Sequence, residues 1–548
     1  MPRLQDIIAR YAKLKATRDG YWQSLWRKVR HYCYPDEEEG QSQGGERGNT
    51  IYDITAIEAR QRLASGMYQW MAPPDQRWFE LLPQDKALRD NATVKEFFQA
   101  ASGILAYQLA NSNWPSELIK TLNDLACGLD GVLYCEDGGF KSSLNFQSFP
   151  IETVCYECDR YGCVDTVFRE MTLSARQALQ QFGQNALPER MLKAAQDECH
   201  QDDEFKILHA VMPRDSGRDG EARKGRKPYA SYYIDLQDKV MLEEGGYDEM
   251  PFAICSFRKS NREHYGRGPG VDALPDIRML NRMRQTYILN AEFAANPIWT
   301  VPDGSVVGRE FNRSPGAVIP YKLEYNGAKP EIIQRGNNLA VDANTIEQER
   351  MHIRQQFFWD IFDPLGDLRN MTAAEVSVRN NSKIVPFAPI AGTLHSDLFS
   401  RIIQRCLGIC ARRGLLPNPP PQLAAAGGEY RIEFVSKIAR SIKRMEALGW
   451  LQTETSLQGI IQVRPDIMDN FDADQIARDI AITEGCNPQW LVAAKDRDAL
   501  REARAQAAAV QQQQQMVQGL AANAAGLSRR PEQGSLMGKV MDSLGAMG

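Results

Sequence analysis

No stretch of this sequence approaches the roughly 18 uninterrupted apolar residues that read as a membrane-crossing helix. The opening segment, MPRLQDIIARYAKLKATRD, is charged throughout and lacks an apolar centre, so no secretory leader is read. An excess of positive charge is also missing. Lys and Arg number 65 against 70 Asp and Glu, a formal net charge of -5. Proteins that wrap DNA tightly are usually basic, so a static grip on DNA is disfavoured. A conduit is a different case, because a channel through which DNA slides should not hold its phosphates.

Catalytic signatures are equally scarce. No Gly-x4-Gly-Lys-Ser/Thr phosphate loop is present, since Gly538 and Lys539 are followed by Val540. There is no His-Glu-x-x-His zinc helix and no EF-hand loop, and the 548 residues include only six histidines. Gly266-Arg-Gly-Pro-Gly270 resembles a dinucleotide turn. However, Pro269 removes an amide that a phosphate would need, and the preceding SNREHY is not a buried strand. A tight turn leading into a helix is the better reading. Cys155, Cys158 and Cys163, with Cys199 and His200 downstream, hint at zinc. A structural zinc site needs four converging ligands, and residues three apart on a strand point to opposite faces. Buried thiols are the favoured reading. The eleven cysteines are read as free thiols in a reducing compartment. Asp202, Asp203 and Glu204 lie in a charged run and read as a solvated face. No catalytic residue, metal ligand or cofactor is therefore assigned, and the chain is not read as an enzyme.

The residues that are present describe a folded chain. At 43% hydrophobic and 25% charged it has a globular composition, and it is long enough for several packed cores. The first 130 residues read as helices. Ile7, Ile8, Tyr11 and Leu14 share one face, as do Trp22, Leu25, Trp26 and Val29, and Pro35 ends this run. Thr55 with Glu58 and Thr93 with Glu96 form capping-box patterns ahead of amphipathic runs. Leu118, Leu122 and Leu125 mark a further helix. From about residue 131 the texture turns to short strands: 132–135, 145–149, 164–169, 205–212 and 229–236. Ser174 with Gln177 opens a short helix closed by Gly183. RDSGRDGEARKGRKP, with six bases and three acids, reads as a solvated hairpin tip.

Next comes a helix–β–helix unit. Ile277, Leu280, Tyr287 and Ala291 mark one helix. Ile346, Ile353, Phe357 and Ile361 mark a second, and each helix is about 20 residues or ~30 Å long. Some 40 residues rich in Pro and Gly separate them, with extended runs at 298–301 and 317–321. Helical hairpins usually have connections of about 2–8 residues, so this pair carries a small module at its tip. Thr372 with Glu375 opens a long helix interrupted by Pro386 and Pro389 and ending at Gly414. Residues 429–500 read as a small helical region. The Ala- and Gln-rich tail that follows reads as one long helix or as disordered.

Four segments carry a resemblance: MAPPDQRWFELLP (Met71–Pro83), CDRYGCVDTVFREMTLSARQ (Cys158–Gln177), YGRGPGVDALPDIRMLNRM (Tyr265–Met283) and MTAAEVSVRN (Met371–Asn380). Each resembles a segment of the podovirus-type head-to-tail connectors, the portal proteins of short-tailed phages. They occur in the family's order, and the likeness extends from about residue 5 to about residue 500. The resemblance implies an α+β, mainly helical subunit with a wing, paired stem helices, a β-containing clip and a helical crown. Its expected boundaries are wing 1–270, stem helix 271–295, clip 296–340, stem helix 341–362, channel loop 363–371, long kinked wing helix 372–415, crown 416–500 and tail 501–548. It further implies a homo-oligomeric ring, usually of twelve copies, at one capsid vertex of the virion. Double-stranded DNA would pass through the ring during packaging and ejection. Implied partners are the terminase large subunit, the tail adaptor, and the major capsid and scaffold proteins, with assembly in the host cytoplasm. A tail or capsid structural subunit without a channel role is the alternative.

Two site expectations follow. Ile298, Trp299 and Val318 in the clip are expected to support β pairing between copies and docking. In 340–371, Asp342, Glu347, Glu349, Asp360, Asp363 and Asp367 outnumber Arg350, Arg354 and Arg369. A weakly repelling wall would keep a duplex centred, with screening over ~8 Å at physiological salt. Asp342, Glu349, Asp363, Gly366, Asp367, Arg369 and Asn370 are therefore the expected channel residues, with Gly366 as hinge. The competing expectation is that the acids pair with Arg350 and Arg354 of neighbouring copies.

Overall fold

The structure is a computed structural model of the chain. It describes residues 4–37, 50–74, 76–89, 91–139, 143–214, 227–296, 299–302, 318–321, 331–332, 339–362, 385–425 and 427–435. Beyond these it describes 453, 456–458, 464, 470–483, 492 and 497–511. The chain forms two compact units, Met1–Met445 and Glu446–Gly548. The fold is α+β.

The first unit opens with helices α1 (Leu4–Tyr21) and α2 (Gln23–Cys33), then α3 (Thr55–Met71), strand β1 (Phe79–Pro83), α4 (Ala92–Ala110) and α5 (Trp114–Cys127). The expected faces are the buried ones: Ile7 and Tyr11 on α1, Trp26 and Val29 on α2, and Leu118, Leu122 and Leu125 on α5. Two expected capping boxes are not the caps that form. Asn91 caps α4, its side chain accepting from the Thr93 and Val94 amides. Asp53 takes the corresponding place before α3 and accepts from both the amide and the hydroxyl of Thr55. In each case an Asx side chain upstream offers an acceptor in the geometry the free amides require. The box at Ser174 and Gln177 does form, with both of its hydrogen bonds.

Two sheets follow. Strands β2 (Gly131–Asp137), β3 (Leu144–Phe149) and β9 (Phe252–Cys255) make an antiparallel sheet in the order β3-β2-β9. Strands β4 (Val154–Cys158), β5 (Val164–Ser174), β6 (Glu204–Pro213), β7 (Tyr229–Asp235) and β8 (Val240–Tyr247) make an antiparallel five-stranded meander. The charged tip between β6 and β7 lies largely outside the described residues, but the hairpin that carries it closes at Pro213 and Tyr229. Side chains alternate across a strand, and the neighbours Leu208 and Ile207 accordingly enter different cores. Leu208 packs with Ile7 and Tyr11 of α1. Ile207 packs with Ala178 of α6 (Ala175–Phe182) and Met191 of α7 (Glu189–Gln196). Of the thiols weighed for zinc, Cys155 is buried and Cys158 half-buried, but Cys163 and Cys199 are exposed, so the buried-thiol reading fails for those two. Both sit at turns, where no described residue covers them.

The glycine-rich segment at 266–270 is a packing turn. It leads into the short helix α8 (Pro269–Asp272) and then α9 (Leu274–Ala295). Gly128, left-handed at φ +88, ends α5 so close to Gly268 that a Cβ on it would lie 2.8 Å from the Gly268 nitrogen. Strands β10 (Trp299–Pro302), β11 (Val318–Tyr321) and β12 (Glu331–Ile332) precede α10 (Leu339–Gln356). The expected long helix is described from residue 385. It runs as α11 (Ala388–Leu394), a π-helical segment His395–Phe399, and α12 (Ser400–Arg412). Gly414, at φ +67, follows its end. After α13 (Pro421–Ala425), strand β13 (Tyr430–Phe434) pairs antiparallel with β1. Residues 430–434 are therefore a strand, where the sequence reading had helix. The partner lies some 350 residues away, so no local pattern announces the pairing.

In the second unit Asp472 caps α14 (Ala473–Thr483) through the amides of Asp474 and Gln475. Asp474 pairs with Arg497 and Arg501 of the exposed helix 497–511. Among the described residues, no helix is long and apolar enough to cross a membrane.

Candidate functional site

Helices α9 and α10 pack against one another. Gln356, at the end of α10, donates to Asp276 near the start of α9 at 2.7 Å, so the pair is antiparallel. All four residues expected on the inner face of α10 and its extension, Ile346, Ile353, Phe357 and Ile361, are buried. On α9, Ile277 and Leu280 are buried, whereas Tyr287 is half-buried and Ala291 exposed. No residue from Asn281 to Ala295 is buried.

The root of the pair is an aromatic socket. Phe358 and Phe362 pack edge-on to Phe387, and Phe257 joins Phe358 and Phe387. Trp70 of α3 meets Phe362 at 5.5 Å. The Phe362 ring occupies the space where a side chain at Gly66 would stand, so only glycine lets the chain pass there. Arg62 donates to the Phe362 carbonyl at 3.1 Å and lies over the Trp359 ring. The sequence FFWDIF holds most of this cluster, yet periodicity singled out only Phe357 and Ile361.

Residues Thr50–Asp53 form a strap across both helices. Asn281 of α9 accepts from the Tyr52 amide at 2.6 Å and donates to the Thr50 carbonyl at 2.9 Å. Gln285 donates to the Tyr52 hydroxyl. Arg350 of α10 donates to Asp53 at 2.7 and 3.0 Å. Burial opposes ionisation of Asp53, but the hydrogen bonds from Thr55 and Arg350 outweigh it and hold its pKa below the usual carboxylate value. The strap was not read from the sequence. Its only local signal is Asp53 two residues ahead of Thr55, which was assigned to a different cap.

The acids of α10 are not equally free. Glu347 is held by Arg350 at 3.1 Å and by Arg354 at 3.2 Å. Glu349 sits 4.0 Å from His352 with its side chain 20% exposed. Asp342 lies within α10. The outward stripe of α10, Asn344, Gln348, Met351 and Gln355, is uncharged and exposed. The outward stripe of α9 holds Arg278, Met279, Arg282 and Leu289, with the exposed Gln285, Thr286 and Glu292 between and beyond them, and is basic towards its start. Asp363, Gly366, Asp367, Arg369 and Asn370 fall outside the described residues.

At the far end, β10 is the central strand of a three-stranded sheet in the order β11-β10-β12. Trp299 and Val318 are register partners in the parallel β10–β11 pair. Backbone pairing on both sides of Trp299 is thus used within the chain, and the outer strands of this sheet are β11 and β12. Ile298 lies outside the described residues. No group of three or more His, Cys, Asp or Glu among the described residues is placed to hold a metal.

The chain matches the family described as bacteriophage head to tail connecting protein over residues 4–492. It is 24% identical over 525 residues to the probable portal protein of Bordetella phage BPP-1, covering 94% of this chain and 93% of that protein. It is 25% identical over 537 residues to the portal protein of Salmonella phage epsilon15, covering 96% and 95%.

Proposed function

The chain belongs to the bacteriophage head-to-tail connecting proteins and performs the portal function, and on that premise we propose that its copies close into a ring whose stem is the α9–α10 pair. Portal proteins are structural components of the virion at a capsid vertex. The observation that supports the ring is the unfinished surface of the pair. Its root is sealed by the socket and strap, but Met279 and Leu289 on α9 and Met351 on α10 stand exposed on stripes that no described residue covers. A heterologous contact repeated around a closed cycle would cover them. Twelve copies is the number that the family resemblance implies.

In this reading double-stranded DNA passes through the stem during packaging and ejection. DNA carries one charge per ~1.7 Å of axis, and each base that neutralises a phosphate releases counterions and tightens the hold. The uncharged stripe of α10 suits a sliding wall better than the basic stripe of α9. We therefore assign Asn344, Gln348 and Gln355 to the lumen and Arg278 and Arg282 to contacts between copies. Glu349 then contributes from the flank of α10, and Asp342 belongs to the same helix. Asp363 and Asp367 supply the acidic constriction, with Gly366, Arg369 and Asn370 in the same loop. The sheet of β10, β11 and β12 is the clip. Its edges dock first the terminase large subunit and then the tail adaptor, while the remaining surface meets capsid and scaffold proteins. Assembly in the host cytoplasm fits the free thiols.

Electron microscopy of the purified protein tests the ring: closed particles with an axial hole are expected, and monomers under folding conditions would defeat the reading. Changing both Asp363 and Asp367 to Lys should leave the ring intact and slow DNA transit, most at low salt. Unchanged transit at low salt would remove the constriction from that loop.

A further inference from the structure

Cys135 on β2 and Cys406 on α12 are both fully buried, with their sulfurs 3.7 Å apart and 271 residues between them in sequence. Their approach is set by the framework around them. Strand β2 packs against α12, and the Arg405 guanidinium points at the Cys135 carbonyl at 3.4 Å while Glu249 holds its other end at 2.8 Å. Cys410, one turn further along α12, is also buried. The segment between Cys135 and Cys406 contains both stem helices and the clip.

We propose that Cys135 and Cys406 are a latent disulfide, reduced as the chain folds and joined when the finished protein meets a small oxidant such as hydrogen peroxide. One thiolate attacks a peroxide oxygen. The O–O bond breaks, hydroxide leaves and takes up a proton as water, and a sulfenic acid remains. The second sulfur attacks the sulfenic sulfur, the S–O bond breaks, and a second water leaves. Two thiols lose two electrons and one peroxide gains them. The sulfurs must close from 3.7 Å to about 2.05 Å. Burial pushes the Cys406 thiol well above its usual pKa, so its thiolate is scarce and the reaction slow. The exposed Cys163 and Cys199 react first. The bond would close one covalent loop around the whole stem, tying the sheet before it to the helix after it. A virion outside the cell meets the oxidising conditions under which such bonds persist; this setting rests on the portal reading, whereas the chemistry does not.

The experiment treats the full-length protein with hydrogen peroxide, blocks remaining thiols, digests it and identifies linked peptides by mass spectrometry. A Cys135–Cys406 peptide lacking two hydrogens is expected. With it should come a higher unfolding temperature that dithiothreitol reverses and Cys406→Ala abolishes. If Cys163 and Cys199 are fully oxidised while Cys135 and Cys406 can still be alkylated after unfolding, the proposal is overturned. A link between Cys406 and Cys410 alone, or a Cys135–Cys406 link formed only in denaturant, overturns it equally. The linkage is read on each subunit, so a failure to form rings would count against the ring and leave this test standing.

Discussion

In the β4–β8 sheet each face has a cover supplied by the same chain, α1 on one side and α6 with α7 on the other. The α9–α10 pair has such a cover only at its root. From Asn281 onward no residue of α9 is fully buried, and only side chains such as Met283 and Tyr287 are half-covered. The sheet is a finished object in one copy, and the distal pair is not. In the ring proposed above, this region, helical yet exposing methionine and leucine, meets neighbouring copies, and its residues should matter for assembly more than for folding.

The comparison breaks hardest at the root. Phe357 is fully buried in the core below the pair. Phe357→Ala should cost about 3–5 kcal/mol through lost burial and the cavity left behind. Urea unfolding of the isolated subunit reads this directly, and a loss below about 1 kcal/mol would mean that the root is not a packed core.

Removing the strap's ion pair should cost less. Arg350→Ala leaves Asp53, whose side chain is 2% exposed, with Thr55 as its remaining described partner. An under-satisfied buried carboxylate costs about 1–3 kcal/mol. The deficit should shrink as pH falls, because a carboxyl held below its unfolded pKa contributes stability above that pKa and loses it on protonation. Stability curves of the variant and parent that stay parallel from neutral to acid pH would contradict the strap.

The distal pair supplies the contrast. Met279→Ala together with Leu289→Ala should change subunit stability by no more than about 0.5 kcal/mol each, as exposed substitutions do. The same double change should lower the ring population in native mass spectrometry. Intact rings with a destabilised subunit would invert the proposed division between root and tip.

The smallest effect concerns the finished sheet. Glu170 accepts from Tyr11 at 2.5 Å and Lys15 at 2.6 Å, pinning α1 to β5. Burial raises its pKa, but those hydrogen bonds outweigh burial and lower it to about 2 from 4.5. Its folded pKa lies below its unfolded one, so its contribution is complete above about 4.5 and fades as pH falls towards about 2. Hydrogen exchange in α1 should accelerate over that window, and Glu170→Gln should flatten the dependence.

Much of this was legible from the residues. Strong periodicity located both α9 and α10 and the buried face of α10 down to Ile361. Glycine and proline marked the connecting module and the end of α12, whereas the stop of α5 at Gly128 was not read. Ser174 with Gln177 read correctly, since both hydrogen bonds of that box form. Thr55 and Thr93 read wrongly because Asp53 and Asn91 do lie upstream and reach the same amides first. The pairing of β1 with β13 and the strap over α9 were invisible, since both join segments hundreds of residues apart with no repeating local pattern.

The sequence alone determined which side of each helix is apolar, because 3.6 residues per turn ties spacing to direction. It also determined where the chain must turn and that α10 carries more acid than base. Only the tertiary structure decided the second partner of Arg350. Glu347 meets it one turn away in the same helix, whereas Asp53 arrives from 297 residues away to take it. Charge depends on composition, which the sequence states outright. Partnership depends on distance in space, which the chain's path sets only after distant segments have packed.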